Sequence, residues 1–456
     1  MSPKRWFPIS VAVSLLVAHV LASAVLPQSS ASAPLTNTPK EIVEWLRTSA
    51  IPLKTTNPEA DLNDMSKLGS VIGNARVVAM GEATHGTREF FQMKHRMLEF
   101  LVEKMGFTVF AIEANWPESL AVNDYVLNGR GDPAAALAGM YFWTWNTEEV
   151  LDMIRWMRKY NEDQTHDKKV QFLGFDMQTA RVAVSNVDEY LENVDPQEYQ
   201  IAERVLAPLA DERNERDYSR RPPKVQTETA EGIQFLLDFF DQHKSDYIAA
   251  SSDKQWALAR HNLEIIKQAA KLYSSRSPAV RDRYMAENIK WILDNEPPGT
   301  KMMLWAHNGH VSTADSRMGS FLRRMYGQEM VVCGFSFFEG SFQAVSALGL
   351  GHWLQDFVVG PSPPDSLDSA LAETGLPLFA IDLRRASSKD AVHRWLEIAH
   401  RMRSIGAVYN ELLPSNTYLP EIIPGTFDVI FFVKRTTPAR KNPKLPKFID
   451  PDFIRA

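Results

Sequence analysis

The sequence predicts an α/β fold: a mainly parallel sheet flanked by helices, with a helical insertion or cap region. Short runs of β-branched and aromatic residues recur along the chain, and several are apolar throughout, as strands covered on both faces should be. Amphipathic helical patterns separate most of these runs, an alternation typical of parallel sheets. From about residue 185 to residue 298 only helical patterns remain, which indicates the insertion.

The first residues have the pattern of an export signal. Lys4 and Arg5 precede an apolar run at 8–24, and the small-residue triplet ASA occurs twice before residue 34. This order is that of a secretory signal peptide, with an uncleaved membrane anchor as the alternative. We expect residues 1–33 to be removed and the protein to be exported, into the periplasm if the host has two membranes, without stable membrane association after cleavage.

The rest of the chain is predicted to form one interrupted core. The α/β core is expected in two parts, 34–184 and 299–437, with the helical insertion at 185–298 between them. A Pro- and Lys-rich tail at 438–456 is expected to be extended. Within the insertion, the stretch DERNERDYSRRPPK mixes both charges and is predicted to be a solvated loop.

The individual elements follow from the local patterns. TPKEIVEWLRTSA places its apolar residues on one helical face, and REFFQMKHRMLEFLVEKMG continues as a helix until Gly106. Strands are predicted at residues 77–80, 108–112, 170–175, 302–305, 330–335, 379–382 and 427–433.

Composition and motifs exclude several classes of function. The formal net charge of -6 disfavours a nucleic-acid partner. The single cysteine, Cys333, lies in an apolar run and is predicted to be a buried, inert thiol. The chain has no Cys/His zinc spacing, no G-x-S-x-G elbow, no H-E-x-x-H and no Gly-rich phosphate loop.

Ionisable side chains stand at the carboxyl ends of four predicted strands. In chain order they are Glu82 with His85, Glu113, Asp176, and His307 with His310. Any one of them alone is more typical of a helix cap or a satisfied hydrogen-bonding group. Strand ends converge at one edge of an open α/β sheet, where ligands bind, so two acid–imidazole sets at that edge predict a functional site.

Histidine and carboxylate groups favour hydrolysis by activated water. One histidine is suited to act as the general base, with a carboxylate fixing its tautomer. A second histidine is suited to stabilise an oxyanion or to protonate a leaving group. Gly86 and the N-terminus of the following helix are expected to offer N–H groups to developing negative charge.

Two other readings of the same residues remain open. The Glu and His side chains include enough nitrogen and oxygen ligands for a divalent ion, which would make the protein a metal-dependent hydrolase. An exported binding protein with an inactive site is the other alternative. The reading that we favour involves no cofactor, and its partner is a small-molecule ester.

At these residues the sequence resembles the erythromycin esterase family. The resemblance lies in GEATHGTREFFQMKHRMLEFLVEKMGF, AIEANWPESLAVNDYV, WTWNTEEVLDMIRWMRKYN, LGFDMQ and RDRYMAENIKWIL…KMMLWAHNGH, and it spans about residues 40 to 435. It implies an α/β domain with an added helical region and metal-independent hydrolysis of a macrolactone ester in antibiotics. The export signal departs from the resistance enzymes, which resemble cytoplasmic proteins, so other esters stay open, including an acyl ester on a polysaccharide.

The resemblance also implies roles for individual residues. It makes His85 the general base, Glu82 its neighbouring acid and Glu113 an essential glutamate. It places a second essential histidine in HNGH, where we favour His307 over His310 because His307 is nearer the strand.

Further residues are candidates for the substrate site. Arg88, Lys94, Trp116 and Asp176 are predicted to bind substrate. Lys94 and Arg88 could instead be solvated helix residues, and Trp116 could fill the core. Asp282 and Asn288 could face the site from the helical region.

Overall fold

A ten-stranded sheet, most of it parallel, forms the centre of the protein. The computed structural model describes residues 38–275, 277–349, 354–386, 391–421 and 423–442. The predicted signal peptide lies outside these residues, as does most of the predicted tail. No helix in the described ranges is both long and apolar enough to cross a lipid bilayer.

The strands in the described residues are β1 (Ile51–Pro52), β2 (Val77–Met80), β3 (Val109–Asn115), β4 (Gln171–Asp176), β5 (Met302–Trp305), β6 (Met330–Ser346), β7 (Leu354–Val359), β8 (Leu378–Asp382), β9 (His400–Arg403), β10 (Val408–Tyr409), β11 (Tyr418–Glu421) and β12 (Val429–Thr436). The order in the main sheet is β1-β8-β12-β6-β2-β5-β3-β4, with β7 and β10 also paired to β6. Strands β4, β3, β5, β2, β6 and β12 run parallel to one another. Strands β9 and β11 form a separate antiparallel pair.

The helices in the described residues are α1 (Lys40–Ser49), α2 (Ser66–Ile72), α3 (Arg88–Met105), α4 (Trp116–Asn128), α5 (Pro133–Ala138), α6 (Glu148–Glu162), α7 (Arg181–Val194), α8 (Pro196–Leu206), α9 (Glu212–Tyr218), α10 (Pro223–Gln242), α11 (Lys244–Ala250), α12 (Asp253–Ser275), α13 (Pro278–Asp294), α14 (Asn308–Val311), α15 (Met318–Tyr326), α16 (Leu367–Ala372), α17 (Ala391–Leu396) and α18 (Ile423–Thr426).

The predicted fold class is confirmed, and each predicted strand forms. The bounds predicted for β2 and β5 are those observed, because an apolar run ends abruptly in polar residues at both. Strand β6 is much longer than predicted, since its second half mixes polar and apolar residues and pairs with the short strands β7 and β10.

The strands that the sequence missed are short or irregular. Strand β1 has two residues, one of them Pro52, and β7 alternates poorly because Gln355 and Asp356 interrupt it. Such segments carry too little periodic signal to distinguish them from loops. Strands β1, β7 and β10 lie at the margins of the main sheet, and β9 and β11 form a separate pair, so missing them does not change the fold class.

The two faces of the sheet are buried against different helices. Val77 and Ala79 face a core that includes α7, α10, α12 and α13, whereas Val78 and Met80 face one that includes α3 and α6. Alternate residues of a strand point to opposite faces, so a strand covered on both sides must be apolar at every position. In β2 and β5, which are apolar at all four positions, the ionisable residues therefore follow the strand end.

Two predicted helices show how local sequence sets their bounds. Helix α1 buries Ile42 and Leu46 on its apolar face. Helix α3 ends at Met105 and is capped by Gly106, which adopts φ 72° and donates its N–H to the carbonyl of Leu101. Glycine suits this left-handed position because it has no Cβ.

Between β4 and β5 the described chain is helical, from α7 to α13. The prediction of a solvated loop in DERNERDYSRRPPK was wrong, because residues 212–218 form helix α9. Asp211 caps this helix by accepting the N–H of Asn214, and Tyr218 is buried in the core. At the other end of the region, Asn288 of α13 donates to the carbonyl of Phe175 on β4 (3.1 Å), which joins the helical region to the sheet.

Candidate active site

Glu82 and His85 form a hydrogen-bonded pair in the turn that follows β2. The distance between Glu82 Oε1 and His85 Nδ1 is 2.7 Å, and both residues are buried. This contact fixes the ring so that Nδ1–H donates to the carboxylate and Nε2 is left to meet a substrate or water. His85 Nε2 has no hydrogen-bond partner among the described residues.

Two further donors bind the other carboxylate oxygen of Glu82, Oε2. Lys94 Nζ, on α3, donates to Oε2 at 2.6 Å, and Trp305 Nε1, at the end of β5, donates to the same oxygen at 2.7 Å. Burial by itself would raise the pKa of Glu82, but the charges of Lys94 and His85 outweigh it and keep the pKa below its usual value. Glu82 is therefore ionised and suited to stabilise an imidazolium at His85.

Lys94 is wholly buried and does not reach a substrate space. Its ammonium lies over the ring of Trp305, 4.3 Å from the centroid, and 5.0 Å from that of Phe335. Burial lowers the pKa of Lys94 to about 8, although Glu82 opposes the shift. The geometry makes Lys94 a support for Glu82.

The N–H groups at the start of α3 do not lie open as the sequence suggested. Gly86 donates its N–H to Thr84 Oγ1 (3.3 Å), and Arg88 donates its N–H to the carbonyl of Thr437 (3.0 Å). These donors are therefore already occupied. The segment that follows β12 covers this helix end, and nothing in the local sequence of α3 indicates that contact.

Glu113, at the end of β3, joins three elements. Its Oε2 accepts the backbone N–H of His307 (2.9 Å), and its Oε1 accepts from Arg281 Nη2 of α13 (2.7 Å). The Nε2 atom of His310 lies 3.3 Å from the same Oε1. Burial would raise the pKa of Glu113, but the charges of His310 and Arg281 hold it well below the usual range.

Both ring nitrogens of His307 are bonded to the backbone. Nε2–H donates to the carbonyl of Ile405 (3.2 Å), and Nδ1 accepts the N–H of Gly309 (3.1 Å) as the cap of α14. Burial, with the nearby charge of His85, lowers the pKa of His307 to about 3. The ring is thus neutral and fully bonded, 4.9 Å from the ring of His85, which argues against the preference for His307 as the second reacting histidine.

His310 carries the second acid–imidazole contact. Its Nδ1 lies 2.8 Å from Asp282 Oδ1 on α13. Burial lowers the pKa of His310, but the carboxylates of Glu113 and Asp282 outweigh it, so the pKa lies above its usual value. His310 is therefore more readily protonated than an ordinary histidine.

Arg281 stands between the acids of the sheet edge, and the sequence did not single it out. Its guanidinium donates to Asp176 through Nε (3.2 Å) and Nη2 (2.5 Å), and to Glu113 as described. Asp176 is held in addition by Gln178 Nε2 (2.8 Å). The only available signal was indirect, since buried acids converging at one edge require a cation.

His310 Nε2 can form a hydrogen bond in either protonation state without moving. When the ring is neutral, Nε2 accepts from Arg281 Nη1 at 3.1 Å. When the ring is protonated, Nε2–H donates toward Glu113 Oε1 at 3.3 Å. A group satisfied in both states can accept and release a proton with little rearrangement.

The residues of this cluster do not fit a metal ion. In the part of the chain that the structure describes, no group of three or more His, Cys, Asp or Glu side chains is arranged as a metal site. The guanidinium of Arg281 lies among Glu113, Asp176 and His310, where a divalent ion would be repelled.

The remaining predicted residues are placed around the cluster or away from it. Arg88 lies at the start of α3 with its Nε 3.7 Å from Glu149 Oε1. Trp116 is buried against His261 and Trp291, with ring centroids 4.5 and 5.5 Å apart. Trp116 therefore belongs to the core between β3 and the helical region.

Of two further residues, Asn288 was named from the sequence as one that could face the site, and Trp145 was not singled out. Asn288 serves the packing of α13 through Phe175 and through Gln268 Oε1 (2.9 Å). Trp145, in the loop before α6, presents its ring to His85 with centroids 5.9 Å apart and donates Nε1–H to the carbonyl of Glu113 (2.9 Å). A tryptophan in a loop gives no sign in the sequence of which residues it contacts.

Comparison with known proteins gives a consistent answer. The family model described as "Erythromycin esterase" matches residues 102–436. An Escherichia coli protein named erythromycin esterase type II is 24% identical over 337 residues, covering 66% of this chain and 78% of that protein.

Two solved structures resemble the fold. A crystal structure of a protein from Bacillus cereus has a TM-score of 0.78 and 28% identity, and covers 88% of this chain and 98% of that one. An erythromycin esterase mutant, EreC, solved in its open conformation, has a TM-score of 0.66 and 17% identity, and covers 86% of this chain and 98% of that one.

Proposed function

Because this chain belongs to the erythromycin esterase family, we propose that it hydrolyses a carboxylic ester by attack of a water molecule that His85 activates. The observation that carries this proposal is the Glu82–His85 contact of 2.7 Å, which leaves His85 Nε2 without a partner among the described residues. His85 is also near enough to Glu113 for its charge to lower the pKa of that carboxyl. Family membership supports a hydrolase, and the geometry supports this division of roles.

In the first step, His85 Nε2 takes a proton from water as the water oxygen attacks the ester carbonyl. Nδ1–H remains bonded to Glu82, whose negative charge stabilises the imidazolium. Lys94 and Trp305 keep Glu82 ionised and in place. The imidazole of His85 is therefore held in the orientation of a general base before substrate binds.

In the second step, the tetrahedral intermediate collapses and the alcohol leaves. The guanidinium of Arg281 and the N–H of His310 are the cationic donors near the reacting space, so they are suited to stabilise the oxyanion. Protonated His310 then gives its Nε2 proton to the leaving alkoxide, and Asp282 stabilises the acid form beforehand.

This reaction needs no covalent intermediate on the protein. Among the residues that the structure describes, no serine, threonine or cysteine side chain is hydrogen-bonded to the ring of His85 or His310. Cys333 is buried, and burial raises its pKa, so its thiol is inert as predicted. We propose no metal-dependent step because the residues do not fit a metal.

The identity of the ester and the cellular location of the protein are further parts of the proposal. A macrolactone is one candidate, supported by the name of the Escherichia coli relative, and a smaller acyl ester is another. Export depends on residues 1–33 and stays a prediction. N-terminal sequencing of the protein recovered from cells would show cleavage before residue 34 if it is right.

The test is ester hydrolysis by the purified protein, with a panel running from small acyl esters to a macrolactone. Each ester is assayed with and without EDTA and beside His85→Ala. We expect turnover that resists EDTA and is lost in the variant. Turnover that EDTA abolishes would contradict the metal-independent mechanism, and a folded protein that turns over none of these esters would contradict the proposed activity.

A further inference from the structure

The segment 437–442, which we call the strap, runs directly from β12 across the start of two helices. It follows the last strand of the sheet and lies against the N-terminus of α3 and then that of α6. Isolated bridges pair Thr87 with Pro438 and Thr147 with Lys441. The strap thus connects two segments that are 60 residues apart in the sequence.

The first half of the strap holds the turn that carries His85. Ala439 donates its N–H to the carbonyl of Gly86 (3.0 Å), next to His85 in the chain. Thr437 donates its N–H and its hydroxyl to the two carboxylate oxygens of Glu89 (2.7 and 2.6 Å). With the bond from Arg88 to Thr437, these contacts fix the backbone immediately after the proposed base.

Gly86 is enclosed from the other side as well. Its carbonyl also accepts the N–H of Gln343 on β6 (2.9 Å). A Cβ atom at residue 86 would lie 2.1 Å from the carbonyl oxygen of Gln343. The chain at Gly86 is therefore held between β6 and the strap, with no room for a side chain.

The second half of the strap holds the segment that follows Trp145. Arg440 donates from its backbone N (3.0 Å) and its Nε (2.8 Å) to the buried carboxylate of Glu149. Its carbonyl accepts the N–H of Glu148 (2.8 Å), and its Nη1 lies 2.9 Å from the carboxylate of Glu148. Asn442 donates its N–H to the carbonyl of Asn146 (3.2 Å).

Both of the held segments adjoin residues at the site. One contains the residues that follow His85 directly, and the other begins directly after Trp145, whose ring lies 5.9 Å from that of His85 and whose Nε1–H donates to the carbonyl of Glu113. A small displacement of either segment would move His85 relative to the substrate space. Misplacement of a catalytic group by about 1 Å can cost on the order of a hundredfold in rate.

We propose that the strap positions His85, and that Arg440 is a positioning residue for the reaction although it does not touch substrate. The expected effect on the reaction rate rests on the proposed function, whereas the effect on the position of His85 does not. Arg440 links the strap to α6 through two carboxylates, yet its side chain is 44% exposed. Its removal should therefore loosen the strap without unfolding the protein.

The kinetic experiment compares Arg440→Ala and Arg440→Lys with Arg435→Ala. Arg435 is a matched control, since it lies five residues earlier, pairs with Glu339 at 2.6 Å and is more exposed. We expect Arg440→Ala to lower kcat about tenfold with little change in KM, because only alignment is lost. Arg440→Lys should recover part of the loss, and Arg435→Ala should equal wild type. Arg440→Met, which keeps the aliphatic stem, replaces Arg440→Ala if that variant does not fold.

A second measurement does not depend on activity. The proton on His85 Nδ1 is followed by NMR and assigned by its absence in His85→Ala. We expect Arg440→Ala to shift or broaden this resonance and Arg435→Ala to leave it unchanged. If the wild-type protein hydrolyses no ester, the proposed function is contradicted. The His85 Nδ1 resonance by itself then tests whether the strap positions His85.

The proposal is overturned by either of two results. One is an Arg440→Ala protein whose kcat and Nδ1 resonance both match those of Arg435→Ala. The other is a loss of kcat in Arg440→Ala with the resonance unchanged, which would place the effect of Arg440 somewhere other than His85.

Discussion

The site contains two acid–imidazole pairs that are built in different ways. Glu82 and His85 lie in one turn, three residues apart, and Glu82 receives bonds from His85, Lys94 and Trp305. Asp282 and His310 come from separate elements, α13 and α14. One oxygen of Asp282 is buried without a hydrogen bond, and the His310 side chain is 17% exposed.

The difference between the pairs indicates a division of labour. The first pair belongs to the sheet edge and is rigid, as suits a base that must be ready before substrate binds. The second exists only where the helical region meets the sheet, so its geometry depends on how those two parts pack. On the proposed mechanism, the helical region supplies Asp282 to the reaction centre as well as packing against the sheet.

Replacing the base should have the largest effect. In His85→Ala we expect kcat/KM for a carboxylic ester to fall on the order of a thousandfold, because no other described group can take the proton from water there. His166→Ala, at a ring that stacks on Tyr160, should keep wild-type rates. A folded His85→Ala protein that retains more than about a tenth of the activity would remove His85 from the mechanism.

Removing the cation that joins the two regions should cost stability. Arg281→Ala leaves the carboxylates of Glu113 and Asp176 buried without their partner, which typically costs about 3–5 kcal/mol. Urea unfolding would measure the loss. Arg283→Ala, two residues later on α13, removes an exposed pair with Glu287 and should cost about 1 kcal/mol or less. Equal losses would show that the Arg281 contacts do not hold the regions together.

Weakening the second pair should affect the leaving group. We expect Asp282→Asn to lower kcat on the order of a hundredfold for alkyl esters, and less for aryl esters whose alcohols leave without protonation. Since Asp282 raises the pKa of His310, its neutralisation should lower that pKa and move the alkaline limb of the pH–rate profile to lower pH.

Asp294→Asn is the matched control for that prediction. Asp294 lies on the same helix in an exposed pair with Lys290, so the rates and the pH profile should be those of wild type. An Asp282→Asn enzyme with the same loss on alkyl and aryl esters would contradict the role of His310 as the general acid.

Removing the support of the first pair should have the smallest effect. In Lys94→Met the pKa of Glu82 should rise, because the charge of Lys94 lowers it. The acidic limb of the profile should then move to higher pH, and activity at its low end should fall by about tenfold at most. Lys104→Met, at the exposed end of α3, is the control. An unchanged acidic limb would show that Trp305 and His85 suffice to keep Glu82 ionised.

The first pair could be predicted from sequence, whereas for the second only His310 and Asp282 could be named as separate candidates, and not their contact. Glu82 and His85 are local, since one apolar run ends and both residues follow within one turn. Asp282 and Arg281 lie in an ordinary amphipathic helix, and only tertiary packing turns that face toward Glu113. The sequence favoured His307 as the second catalytic histidine because it is nearer the strand. In the structure its two ring nitrogens are bonded to the backbone of Ile405 and of Gly309, and the contact with Ile405 depends on tertiary packing.

The burial of Lys94 has a consequence for the proposed ester chemistry, because it protects the amine from acylation. An amine whose pKa is lowered to about 8 is partly unprotonated near neutral pH, and unprotonated amines are nucleophiles that esters acylate. Lys94 lies behind Glu82 and against Trp305 and Phe335, with no exposed surface. In the proposed mechanism the protein can thus use a weakly basic lysine beside the ester-cleaving centre without becoming acylated there, and amine-directed reagents should modify Lys94 only after the protein unfolds.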